Sequence, residues 1–296
     1  MKTQSRKLAA LVAVFGLLLL TCSPVFAISE LWVFYRSKIP LHAKTADQIT
    51  SAGKYRVVLC PLETLSASFL ESHPPALAIA IGDSALQKIL TMPWNIPVIG
   101  TLIDGSLTDK RFYLFDTRQP NDLQISFLMR LQKDIRKIWY PWTSEEFAPA
   151  QELKNAVQAA GLELMLWKLD NPENLTGALK AFSTEHCAGI LPPDPQLINN
   201  AIIPSIFQES FSGKKPIVGY SESMVRKGAV FALTLTPDEL ASGLMKYADD
   251  LLRPSEKEAS RSRKFSGWQL ILNVTVLKKM GLEVPEDLRG KAAKIF

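Results

Sequence analysis

The sequence predicts an α/β protein of two Rossmann-like lobes, each built on a parallel sheet and joined to the other by a hinge. Three observations predict it. Short apolar runs alternate with amphipathic segments from Leu31 to the charged stretch at Arg253, the pattern of β-α units. The run Ala76–Ile81 is apolar at every position, which suits a strand buried on both faces. The alternation occurs twice, on either side of an irregular stretch at residues 102–120, so the units fall into two similar halves.

In the first half, Leu31–Tyr35 (LWVFY) reads as a strand and Ala43–Ala52 as a helix ended by Gly53. Tyr55–Cys60 is the second strand. Pro61 opens a helix to about Ser72, with Leu62, Leu65, Phe69 and Leu70 on one side. Ala76–Ile81 is the third strand, Ala85–Leu90 a helix, and Pro97–Thr101 the fourth strand. A strand near Arg111–Phe115 is expected to cross between lobes, followed by a helix at Asn121–Leu131.

The second half opens with a strand at Ile135–Trp139, which ends in Tyr140-Pro141-Trp142. Ser144-Glu145-Glu146 has the composition of a cap for a helix running to Ala160, with Gly161 as its stop. Strands follow at Leu162–Lys168, Ala188–Leu191, Pro216–Gly219 and Ala229–Leu235, with helices at Asn174–Phe182 and about Asn199–Gln208 between them. Pro237-Asp238-Glu239 opens a long helix, with proline in its first turn and acids at its positive end. Arg253–Lys264 is a charged linker, and Ile271–Lys279 a helix expected to pack back across both lobes. The expected division is therefore a leader at 1–27, a first lobe at 28–115, a second at 116–250, and a linker with its crossing helix at 251–296.

Residues 1–27 read as a secretory signal: Lys2, Arg6 and Lys7 precede the apolar stretch Leu8–Leu20, and Val25-Phe26-Ala27 marks cleavage after Ala27. The stretch is shorter than the ~20 residues a spanning helix needs. Processing as a lipoprotein at Cys22 is the other route. A periplasmic location follows. Without the leader the formal charge falls from +5 to +2, a balance that calls for no nucleic acid. Cys60 and Cys187 are expected to be buried free thiols. His42, His73 and His186 stand alone, without metal-ligand spacing, and no metal or cofactor is expected. G-x-S-x-G, H-E-x-x-H, P-loop and G-x-G-x-x-G signatures are absent, so no enzymatic activity is expected.

The stretch Lys215–Pro285 resembles the C-terminal part of ABC-transporter substrate-binding proteins, whose pattern it meets at Pro216, Val225, Gly228, Ala229, Asn273, Met280, Gly281, Val284 and Pro285. Val276 or Leu277 stands where that family has alanine. The resemblance extends back to about Ala76, through Gly82, Ala85, Ile96, Pro97 and Val98, with Asp83 where a small hydroxyl is usual and Ser84 one place later. It implies a periplasmic binding protein type I-like fold. It also implies a monomer that closes on a small, amino-acid-like solute and delivers it to an ABC permease in the inner membrane. A periplasmic sensor or adaptor signalling to a membrane receptor is the alternative on the same fold.

Open α/β sheets bind ligands at the carboxyl ends of their strands. That rule nominates Tyr35, Gly82, Asp83 and Ser84 in the first lobe, and Tyr140, Asp194, Tyr220, Ser221 and Glu222 in the second. Gly82–Ser84 would offer a helix start to an anion. Asp194 and Glu222 would take an ammonium or hydroxyl, and the tyrosines would form walls.

Overall fold

The computed structural model describes residues 29–66, 74–103, 108–199, 202–253 and 259–296. The expected leader, Cys22, His73, Phe69 and Leu70 lie outside the described residues. Among the described residues the strands form two separate sheets, as two lobes require.

The first sheet has the order β11-β5-β4-β3-β1-β2. Its strands are β1 (Glu30–Tyr35), β2 (Arg56–Pro61), β3 (Leu77–Ile81), β4 (Val98–Thr101), β5 (Phe112–Asp116) and β11 (Ser262–Lys264). All its pairings are parallel. β3 is buried at all five positions, as its unbroken apolar run predicts. The helix Pro40–Ser51 covers one face and Asp83–Leu90 the other, each with its own apolar cluster.

The second sheet has the order β13-β12-β10-β9-β8-β6-β7. Its strands are β6 (Lys137–Trp142), β7 (Glu163–Lys168), β8 (Cys187–Ile190), β9 (Ile217–Gly219), β10 (Phe231–Thr234), β12 (Gln269–Leu272) and β13 (Ala292–Ile295). Its pairings are parallel except for β10 with β12. Two clusters flank it, one around Ile138, Phe231 and Leu272, the other around Trp139, Phe182 and Ile217.

Several expectations are corrected. β5 does not cross between lobes; it pairs with β4 inside the first sheet, and the chain crosses after Asp116. Ser144 makes no cap. A short turn at Glu145–Phe147 precedes Pro149, and the helix starts only at Gln151, because the residue before a proline avoids the helical region. Between the strands expected at Pro216–Gly219 and Ala229–Leu235 lies a helix, Glu222–Lys227, capped by the Ser221 hydroxyl, which accepts from the Met224 N–H.

The lobe boundary at 250 also gives way. The helix Pro237–Leu252 packs on Pro40–Ser51, and its Leu240, Leu244, Tyr247 and Ala248 belong to the first lobe's core. The linker then adds β11 to the first sheet. Ile271–Lys279 is not one helix crossing both lobes. It splits into β12 and the helix Val274–Met280, and Leu277 and Met280 pack in the second lobe's core.

The chain therefore passes between lobes three times, near residues 117–120, 234–236 and 265–269. The crossings are tied together: Gln119 Nε2 donates to the Leu233 carbonyl at 3.3 Å, and the Phe265 N–H to the Asp116 carbonyl at 2.8 Å. Trp268 packs against the cores of both lobes.

Candidate functional site

A cleft of about 540 Å³ opens where the crossings meet the second lobe. Leu41, at the start of the first lobe's helix Pro40–Ser51, contributes one wall. Thr117, Gln119, Thr234, Leu235, Thr236 and Trp268 contribute the hinge, and Tyr220, Ser221 and Glu222 the second lobe. Its size lies within the ~300–1,000 Å³ usual for small-ligand sites. A second groove of about 650 Å³ is larger but lies on the flank of the second lobe, lined by Phe207, Phe211, Arg226 and Val276 among others. A ligand there would touch one lobe only.

Of the nine nominated residues, the structure brings Tyr220, Ser221 and Glu222 together at the cleft. Tyr220 follows β9, so the strand-end rule located this wall. Burial and the nearby Asp194 charge push its phenol pKa upward. Glu222 carries no free charge into the cleft. Its Oε1 accepts from Lys294 at 2.7 Å and from Arg226 at 2.8 Å, and these bonds hold its carboxyl below the ordinary range.

Asp194 lies behind this lining, fully buried. Its Oδ2 accepts from the Thr143 amide and hydroxyl, both at 2.7 Å, and its Oδ1 from the Gln196 amide at 2.9 Å. It holds the loop after β8 to the loop after β6. Tyr140 is buried beside it and donates to the Phe147 carbonyl at 3.1 Å. Tyr35 is buried in the first lobe's core, and burial raises its pKa.

Gly82 follows β3 and precedes the helix Asp83–Leu90, which has no side-chain cap. Asp83 and Ser84 are exposed there. These three residues do not line the cleft around Tyr220; they connect to it through His42, which packs on Gly82 and neighbours the cleft residue Leu41. His42 is nearly buried, and burial, helped by the Arg36 charge, lowers its pKa and keeps the imidazole neutral at pH 7.

Leu41, Thr117, Gln119, Trp268 and Gln269 were missed from the sequence, because they sit at a helix start, at chain crossings and on a strand after a crossing. The signal available for one of them was a tryptophan isolated between the charged linker and the apolar run Leu270–Leu272. Among the described residues no group of His, Cys, Asp and Glu could hold a metal ion. No helix among them is long and apolar enough to cross a membrane. Cys60 and Cys187 are free and buried, as expected.

The model of a family described as ABC transporter substrate binding protein matches residues 58–296. Among solved structures, the ligand-free, open form of a substrate binding protein with adhesive properties from Clostridium difficile aligns with a TM-score of 0.70 at 12% identity, over 90% of this chain and 99% of that one. An ABC domain from Streptococcus pneumonia in complex with L-Trp aligns with a TM-score of 0.55 at 15% identity, over 90% and 100%. A conserved domain protein from Vibrio cholerae gives 0.55 at 14% identity, over 91% and 100%. No curated protein matches the chain.

Proposed function

Since this chain belongs to the ABC transporter substrate binding protein family, we propose that it is the periplasmic solute-binding component of an ABC-type importer. The observation that carries this reading is the cleft lined jointly by Leu41 of the first lobe, by the three crossings and by Tyr220–Glu222 of the second. A solute in it contacts both lobes only when they approach, so its affinity for the closed form exceeds that for the open form. That difference alone shifts the population toward closure. A hinge of three short crossings bends by dihedral changes in a few residues while each core moves as a body.

The closed form then presents a surface made from both lobes to an inner-membrane permease, with the chain acting as a monomer and doing no chemistry itself. An amino-acid-like ligand was the expectation from resemblance. Its electrostatic support was to be Asp194 and Glu222, and both carboxylates are engaged within the protein. The reading adopted is therefore a small organic solute.

The test is a thermal-shift screen of small solutes on the purified chain, with native mass spectrometry for co-purified compounds. A ligand held 100-fold above its Kd stabilises by about 2.7 kcal/mol. A clear Tm rise with at least one solute is expected. No rise with any solute, and no co-purified compound, would overturn the reading.

A further inference from the structure

The charged side chains of the cleft's lining are spent, whereas two of its neutral polar side chains are not. Its charged members Glu222 and Lys294 bond to each other at 2.7 Å. Thr117 and Gln269 also line it, and among the described residues neither side chain has a hydrogen-bond partner. Gln119 has its amide nitrogen and oxygen turned to Leu233 and Gln124, so its role is to fix the hinge. Tyr220 and Trp268 add aromatic surface.

These facts discriminate between ligand classes. A zwitterion sheds tightly held water from both an ammonium and a carboxylate. A site recovers that cost with unspent opposite charges or with several hydrogen bonds and dipoles aimed at each charged end, and neither charged side chain of the described lining is unspent. A hydroxyl donates and accepts at once, and it is matched by a threonine hydroxyl or a glutamine amide, which do the same. The C–H faces of a hydroxylated ring are apolar and lie well against aromatic side chains.

Resting on the solute-binding reading above, we infer that the cleft selects an uncharged solute with a hydroxylated ring. Thr117 and Gln269 bind its hydroxyls, and Tyr220 and Trp268 flank the ring. A free monosaccharide and the sugar of a nucleoside share this chemistry.

The experiment is differential scanning fluorimetry of the purified chain at neutral pH with equal concentrations of three probe sets. They are D-glucose, D-ribose, myo-inositol, adenosine and uridine; L-Trp, L-Tyr, L-Gln and L-Glu; and benzoate and succinate. The strongest probe is then titrated calorimetrically into the wild type, Thr117→Val and Gln269→Leu, each checked for a native circular dichroism spectrum. A neutral probe gives the largest Tm rise, and each folded variant binds it about five-fold more weakly, as for one lost neutral hydrogen bond. If an amino acid or carboxylate gives the largest rise, this inference fails and the solute-binding reading stands. It also fails if a neutral probe binds both variants with unchanged affinity. If no probe shifts Tm and native mass spectrometry finds no bound compound, both fail.

Discussion

The Phe115 ring lies against Gly243 so closely that a Cβ on the glycine would stand 2.6 Å from Cζ of the ring. Phe115 is the penultimate residue of β5, and Gly243 sits in the helix Pro237–Leu252. This contact seats the long helix on the first lobe, although the strand before it, β10, belongs to the second. Phe115 also meets the Phe265 and Tyr247 rings at 6.1 Å between centroids, so one aromatic cluster joins β5, the long helix and the start of the third crossing.

Gly243→Val is predicted to lower stability by about 2 kcal/mol, because overpacking a closed core forces its neighbours aside. Urea denaturation measures it. Adding Phe115→Leu to this variant makes room for the new side chain, so the double variant is less destabilised than the sum of the two single changes.

Asp194→Ala is predicted to act on folding rather than on ligand selection. It strands the Thr143 amide and hydroxyl and the Gln196 amide away from water, at a cost on the order of 3 kcal/mol. The expected result is a lower Tm, with Asp194→Asn recovering part of the loss. An unchanged Tm with lost solute binding would return Asp194 to the site.

Asp116 links pH to the hinge. Burial works to raise its pKa, but hydrogen bonds from the Arg118 side chain and amide outweigh burial and hold it below the ordinary value. A carboxyl depressed in the folded state stabilises fully above its unfolded pKa of ~3.9, and this contribution fades as pH falls through the folded value. Asp116→Asn should therefore be less stable than wild type at pH 7, and the difference should shrink toward pH 2. A difference that does not vary with pH would contradict this.

Gly82 has φ 91° and ψ 159°, and a Cβ there would stand 2.6 Å from Cε1 of His42. Gly82→Ala meets two penalties, the backbone strain of ~1–3 kcal/mol and the clash. In a His42→Ala background only the strain remains. Chemical denaturation of the four proteins separates the two, and a purely additive result would remove the contact with His42 from the account.

The strands were legible because burial on both faces or one leaves unmistakable apolar runs, as in Ala76–Ile81 and Leu31–Tyr35. Which sheet a helix joins is not written in its own periodicity. Leu240, Leu244 and Ala248 form an apolar stripe that would suit either lobe, and only contacts with residues some 200 positions earlier decide it. The run Leu270–Leu272 was too short to tell strand from helix by period. β11, Ser-Arg-Lys, carries no apolar signal, since it is an exposed edge strand. In the cleft, Tyr220–Glu222 followed from a strand-end rule, whereas Thr117, Trp268 and Gln269 come together only because the chain crosses three times.

The central claim is that the lobes close about a solute held at the crossings, and an inter-lobe distance measures it most directly. Gln87 and Ser223 are exposed, one on each lobe. Spin labels at Gln87→Cys and Ser223→Cys leave the native thiols untouched, because Cys60 and Cys187 are buried and burial pushes their pKa values up to about 12 and about 11. With the solute that most raises Tm, pulsed electron resonance should show the inter-lobe distance shorten and its distribution narrow. A distance distribution identical with and without that bound solute would contradict the account.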